Sequence, residues 1–215
     1  MFSKYWNALK RSYRLIRFEL YCHYCCLYGV IKTKLFFKAT NNNKLEIGIA
    51  NSHNKIGFIS SDINIGTNYP YDLRLGLPFP DASIDFIYAE HVLEHFIYND
   101  LINLIKDCHR VLKLNGVFSI VVPDASIYLS GYSNPNVFDY KKYCLYEFGL
   151  KYKSKIDFVN YIFYMDGQHR HMFDRESILM TLSEGGFSQF RLRKFDSSLD
   201  QQLRQYESIY AEGVK

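Results

Sequence analysis

The sequence has too few cysteines, in the wrong number, for a disulfide framework. Cys22, Cys25, Cys26, Cys108 and Cys144 make five, and three of them crowd into one stretch. An odd, clustered set points to a reducing compartment. No second cysteine pair follows Cys22 and Cys25 at ligand spacing, so a structural zinc site is not expected. At helical spacing Cys22, Cys25 and Cys26 share one face and read as small apolar residues. No uninterrupted apolar run reaches the length of a membrane span. The basic N-terminal stretch is broken by Arg14, Arg17, Glu19 and His23, which disfavours a secretory leader. The net charge of +4 is modest, and no basic run is interleaved with a nucleic-acid-binding motif, so nucleic acid is not an expected partner. Internal repeats and low-complexity tracts are missing too. The expectation is a cytoplasmic protein, soluble or at most peripherally attached to a membrane.

What is present is a globular composition. Hydrophobic residues are 48% and charged residues 22%, which favours a packed core over disorder. The 215 residues suit one domain plus an appendage. The 19 Tyr and 17 Phe read first as core and interface filling.

Residues 2 to about 28 read as an amphipathic helix. Phe2, Tyr5, Trp6, Leu9, Tyr13, Ile16, Leu20, Tyr24 and Leu27 recur at steps of three and four, with Lys10, Arg11, Arg14 and Arg17 mostly off that stripe. Gly29 is expected to end the helix. The stripe either packs on the main domain, which is preferred because such stripes usually fill a core, or touches a membrane surface or a protein partner. Val30 to Lys38 is ambiguous between helix and strand, and Ala39 to Asn43 is a turn-forming linker. The division is therefore an N-terminal helical extension with linker, 1–43, and a main domain, 44–215.

Within the main domain, strands are expected at about Leu45–Ile49, Gly57–Ile63, Tyr71–Arg74, Ile84–Ala89 and Val117–Val122. Helices are expected at Asn99–Leu112, with Leu101, Leu104, Ile105, Cys108, Val111 and Leu112 on one face, and at Asp174–Gly185 with Asp174 as N-cap. Two further strands, Gln189–Phe195 and Ser208–Val214, close the chain. Between the first two strands only about eight residues remain, too few for the usual helical crossover. One sheet face is then left open, and the N-terminal helix is expected to cover it. Residues 125–172, with helical patches at Tyr140–Phe148 and Ile156–Tyr164, form an insert where an acceptor would bind.

Apolar runs ending in polar or acidic residues characterise parallel α/β sheets that hold ligands at the carboxyl ends of their strands. Lys44-Leu45-Glu46-Ile47-Gly48, then Asp62, then Tyr88-Ala89-Glu90-His91-Val92-Leu93-Glu94-His95, then Gly116 to Pro123 follow that form. Their order and spacing resemble the class I S-adenosylmethionine-dependent methyltransferases, in particular the methyltransferase type 11 group. The resemblance covers residues 44–124 well and 165–215 in part. It implies a Rossmann-like α/β fold: a parallel sheet with an antiparallel terminal hairpin, here preceded by the helical extension.

The resemblance also implies roles. Glu46 and Gly48 match the acid and first glycine of the cofactor turn, whereas Ala50 stands at the second glycine position. Asp62 would accept from the ribose hydroxyls, or else begin the Asp62-Ile63-Asn64 bend. Asp72 and Leu73 would meet the adenine, or Asp72 would act as a cap. Glu90 would face the methionine part of S-adenosylmethionine. His91 is the candidate general base, with a structural role as its equal alternative. His169, Arg170 and His171 would bind an anionic or hydroxylated acceptor, or anchor their loop. His91, Glu94 and His95 also spell the inverted zincin order. The preceding parallel strand and the missing long helix argue against that reading, and no metal is expected. The expected activity is methyl transfer, most simply to the oxygen of a small-molecule or glycan acceptor. The alternative, prompted by Ala50 and the missing helix, is a non-catalytic binding or scaffold protein on the same fold.

Overall fold

The computed structural model describes residues 2–49, 55–134, 136, 138–144 and 154–215. Among them, strands β1 (Lys44–Ile47), β2 (Phe58–Asp62), β3 (Tyr69–Pro70), β4 (Ile84–Glu90), β5 (Leu112–Pro123), β6 (Gln189–Leu192) and β7 (Ser208–Val214) form one sheet. Its order is β3-β2-β1-β4-β5-β7-β6. The first five strands run parallel, and β7 and β6 pair antiparallel at the far edge. Helices are α1 (Phe2–Phe36), α2 (Tyr98–Val111), α3 (Ala125–Ser133), α4 (Tyr140–Tyr143), α5 (Ile156–Tyr164) and α6 (Arg175–Glu184). This is the expected Rossmann-like sheet with an N-terminal helix.

Strand periodicity sorts the two faces. Leu45, Ile47, Ile87, Ala89, Phe118 and Ile120 turn to one face and pack on α2 and α6. The face of α2 expected to be apolar is buried throughout, from Leu101 to Val111. Asp174 caps α6 in a reciprocal box with Ser177, the carboxylate accepting the Ser177 amide at 2.7 Å.

Three expectations are corrected. The segment Tyr71–Arg74 is no strand: β3 lies at Tyr69–Pro70, and Asp72 then caps a 3-10 turn over Leu73–Leu75. Gly29 does not end α1, which continues to Phe36. A Cβ at Gly29 would lie 1.9 Å from the Pro70 carbonyl oxygen, so this glycine lets the helix approach the sheet edge.

The third correction concerns what α1 covers. Its small face, Cys22, Cys25, Gly29 and Thr33, is buried beside β3, and Cys25 Sγ donates to the Ile63 carbonyl. The aromatic stripe is not packed: Trp6 is 61% exposed and Leu20 65%. Between Gly48 and Gly57 the described residues hold no helix. The face this leaves open is covered by the β6–β7 connection instead, where Phe195 and Leu199 pack with Phe58, Phe86, Tyr88, Val121 and Tyr210. Asp200 fastens that connection, accepting from the Tyr88 hydroxyl and from Arg193. Of the helical patch expected at 140–148, α4 accounts for Tyr140–Tyr143 and residues 145–148 lie outside the described residues.

Candidate functional site

From β1 the chain runs outward through β2 to β3, then returns to β4 on the other side of β1. The carboxyl ends of β1 and β4 are therefore the switch point, where open α/β sheets leave a crevice. Gly48 lies there with φ +69°, and a Cβ on it would sit 2.4 Å from Val92 Cγ2. Both the left-handed backbone and the contact require glycine. Ala50 lies outside the described residues.

Two acids meet at this point. Glu46 is buried and accepts the Lys55 amide at 3.0 Å, while burial raises its pKa. Glu90 ends β4. Its Oε1 accepts from the Gln201 amide at 3.1 Å, but its Oε2 is buried without a hydrogen-bond partner. The Lys55 ammonium stands 4.0 Å from each carboxylate, over the Tyr88 ring, and donates to the Leu199 carbonyl at 2.7 Å. One cation for two enclosed acids leaves acceptor capacity unspent.

The Asp62 carboxylate, at the end of β2, accepts the Asn64 amide at 2.8 Å and so forms the bend that the sequence offered as its alternative role. Asp72 accepts from the Arg74 amide and guanidinium at 2.6–3.0 Å, and Arg74 reaches on to Glu19 of α1. Leu73 is buried in the main core. Of the two residues expected at the adenine, Asp72 thus fastens the α1–β3 corner in this structure and Leu73 fills the core.

His91 follows Glu90 with φ +53° and a nearly buried ring. Arg204 Nη1 lies 2.6 Å from its Nδ1 and Ser208 Oγ 2.8 Å from its Nε2. A guanidinium can only donate, so Nδ1 accepts and Nε2 carries the proton toward Ser208. Burial, then the charge of Arg204, holds the imidazole pKa well below its ordinary value. Arg204 also pairs with Glu207 at 3.0 Å. Beneath lies Glu94, fully buried, with neither oxygen hydrogen-bonded; burial lifts its pKa to about 8, so the carboxyl is a neutral acid at neutral pH.

The inverted-zincin pair does not converge, because the His91 nitrogens are taken by Arg204 and Ser208. Instead Glu94, His95 and His169 bring one ligand-type atom each within 4.8 Å. His169 is buried, its Nδ1 2.5 Å from the Ile162 carbonyl, and burial drops its pKa to about 4. The amides of Arg170 and His171 both donate to the Glu94 carbonyl, Arg170 is exposed, and His171 stacks edge-on with Phe173. As placed, this segment anchors the loop that carries Glu94.

A cleft of about 460 Å³ opens at the end of β5, lined by Asp124, Ser126 and Ile127 of the α3 entry, by Tyr143, and by Tyr206 and Ser208. Ser208 joins it to His91. Sequence reasoning did not find Lys55, Arg204, Glu207 or Ser208, whose neighbourhood arises only when the β6–β7 connection folds over the sheet.

Residues 69–120 match the family described as a methyltransferase domain. A probable S-adenosylmethionine-dependent methyltransferase of Mycolicibacterium smegmatis is 34% identical over 77 residues, 34% of this chain and 29% of that protein, so the match spans under a third of the relative's length. Among solved structures, an S-adenosylmethionine-dependent methyltransferase of Thermotoga maritima, described as a possible histamine N-methyltransferase, aligns over 98% of this chain and 99% of its own. Its TM-score is 0.50 and its identity 17%. One from Archaeoglobus fulgidus aligns over 86% and 93%, with TM-score 0.48 and 16% identity. The sheet has the Rossmann-like fold of the Thermotoga maritima methyltransferase structure. The match at residues 69–120 runs from β3 into β5, and the resemblance read from the motifs holds over that stretch.

The residues present fit S-adenosylmethionine, whose ribose hydroxyls and ammonium are donors. The orphaned Glu90 Oε2 and Glu46, sharing the one Lys55 ammonium at 4.0 Å, are buried acceptors on the two strands of the switch point.

Proposed function

We propose that this chain is an S-adenosylmethionine-dependent methyltransferase that methylates a hydroxyl of a small-molecule or glycan acceptor in the cytoplasm. The observation that carries this is the buried Glu90 Oε2, which lacks a hydrogen-bond partner at the sheet's switch point, in the matched segment and on the strand paired with the one that ends in Glu46, Ile47 and the Gly48 turn. When bound, S-adenosylmethionine supplies a methyl group on a positively charged sulfonium, already a strong electrophile. What remains for the protein is alignment. Glu46 and Glu90 would hold the donor groups of the methionine portion, Lys55 yielding its place to them. Asp62 would turn from the Asn64 amide to the ribose hydroxyls.

The acceptor would occupy the cleft over Asp124 and Ser126, its hydroxyl directed to His91. That imidazole is neutral, as a base must be, and takes a proton at Nδ1 once Arg204 turns off it; Ser208 keeps the ring oriented through Nε2. The test is transfer of a labelled methyl group to a panel of hydroxylated sugars. Transfer should fall about 10²-fold in His91→Asn with cofactor affinity retained. Cofactor binding without transfer to any hydroxylated acceptor would reject this acceptor class.

The rival reading is a non-catalytic binding protein on the same fold. It is favoured by Lys55 standing between the two acids and by the commitment of Asp72 to Arg74. A chain that shows no affinity for S-adenosylmethionine would decide for it.

A further inference from the structure

No described side chain from Tyr5 to Tyr21 is buried; this half of α1 meets the main domain only near its end, where Arg74 reaches Phe18 and Glu19 and the Ile65 amide donates to the Tyr21 hydroxyl. The helix docks through Cys22, Cys25, Gly29 and Thr33 in its second half. At 3.6 residues per turn, Trp6, Leu9, Tyr13, Ile16, Leu20 and Leu27 fall within an arc of roughly 100°, about half a turn from that docking face. Each is 59–65% exposed. Docking therefore aims the apolar stripe away from the sheet. A burial argument alone would leave its occupant open; charge does not. Residues 2–38 hold eight Lys and Arg and a single acid, Glu19, and that acid is spent on Arg74. Lys10, Arg14 and Arg17 lie along one side of the stripe, with Lys10 over the Trp6 ring at 5.6 Å and Arg17 over the Tyr13 ring at 5.8 Å, whereas Arg11 is on the opposite side of the helix. Among the described residues no helix is long and apolar enough to cross a membrane.

From this geometry we infer that α1 is an interfacial anchor that lays its aromatic stripe into an anionic lipid surface, with the flanking cations among the headgroup phosphates. Apolar and aromatic residues on one side, Lys and Arg beside them and too little hydropathy to span are the requirements for such a helix. Anionic headgroups are the complement of the unbalanced positive charge. Thr33, Gly29 and the Arg74–Glu19 pair hold the anchor to the sheet edge, so the domain would sit against the bilayer rather than on a loose tether. The inference stands whether or not the domain transfers a methyl group.

Trp6 is the sole tryptophan of the chain, so its emission reports on the stripe directly. The test titrates the full chain with vesicles of phosphatidylcholine alone and of phosphatidylcholine with phosphatidylserine. The expected result is a blue shift of Trp6 and quenching by brominated lipid, with co-flotation, on the phosphatidylserine vesicles and weakened by salt. Lys10→Gln/Arg14→Gln/Arg17→Gln should bind at least about tenfold more weakly. Leu9→Asp/Leu20→Asp should not float. Neither variant touches the packed part of the chain, so circular dichroism and melting should be unchanged. Trp6 emission indifferent to both vesicles would overturn the proposal. So would a blue shift that grows with protein concentration before lipid is added, since the stripe would then be covered by a second copy. Equal binding to both vesicle types would overturn the assigned lipid class.

Discussion

Asp62, Glu94 and Gly48 show how much of this site depends on single side chains. If Asp62 binds the ribose, Asp62→Ala removes charged hydrogen bonds to it and should weaken S-adenosylhomocysteine by about 1–3 kcal/mol. An unchanged dissociation constant in calorimetry would confine Asp62 to its bend. Glu94 yields a prediction in pH. In the fold its carboxyl keeps its proton to about pH 8, whereas the unfolded chain releases it near 4.5. The folded state holds the extra proton between those values, so this group makes stability fall as pH rises through that window. Glu207, lifted to about 7, acts in the same direction. Buried His91 and His169, both lowered, act oppositely below about pH 6.5. Glu94→Gln mimics the neutral acid and should gain on the wild type between about pH 5 and 9, by at least about 1 kcal/mol. A melting difference that stays flat across that range would mean that the carboxyl is already ionised in the fold.

The α1–β3 corner is where one element is bound to another by few residues. Asp72 is buried and relies on Arg74, whereas the Arg74–Glu19 pair lies in solvent. Arg74→Ala should therefore cost about 1–3 kcal/mol in urea denaturation, by taking the guanidinium from buried Asp72, and Glu19→Ala clearly less, because its pair is screened by solvent. Equal costs would contradict this ranking. Gly29→Leu should free the helix, seen as faster hydrogen exchange over residues 22–33, because its Cβ meets Pro70 at 1.9 Å.

The same corner marks the limit of what the sequence made legible. The period-2 and period-3.6 patterns located β4, β7, α2 and α6 to within a residue or two, because each buries one face on the same core. The stripe of α1 has an equally clear period, but period does not name the surface it meets. Gly29 reads as a stop signal, yet here it serves close approach. At the site, Gly48, Glu46, Glu90 and His91 were legible because strand ends fix them. Lys55 and Arg204 were not, since they lie in connections with no local pattern, and Ser208 was not, since the pattern that marks β7 does not show that its first hydroxyl meets His91.

The fold itself departs from a doubly covered sheet. One face has its helices, and the other is sealed by the β6–β7 connection that Asp200 ties down through Tyr88 and Arg193. That connection also delivers Arg204 and Ser208 to His91 and takes the Lys55 ammonium at Leu199, so it couples sheet cover and site in one segment. In the proposed function the carboxyl ends of β1 and β4, with Gly48, Glu46 and Glu90, receive S-adenosylmethionine. Calorimetric titration of the full chain with S-adenosylmethionine and S-adenosylhomocysteine tests it most directly. Saturable one-site binding of both, with a rise in melting temperature, is the predicted result. No heat and no shift at millimolar ligand would contradict it.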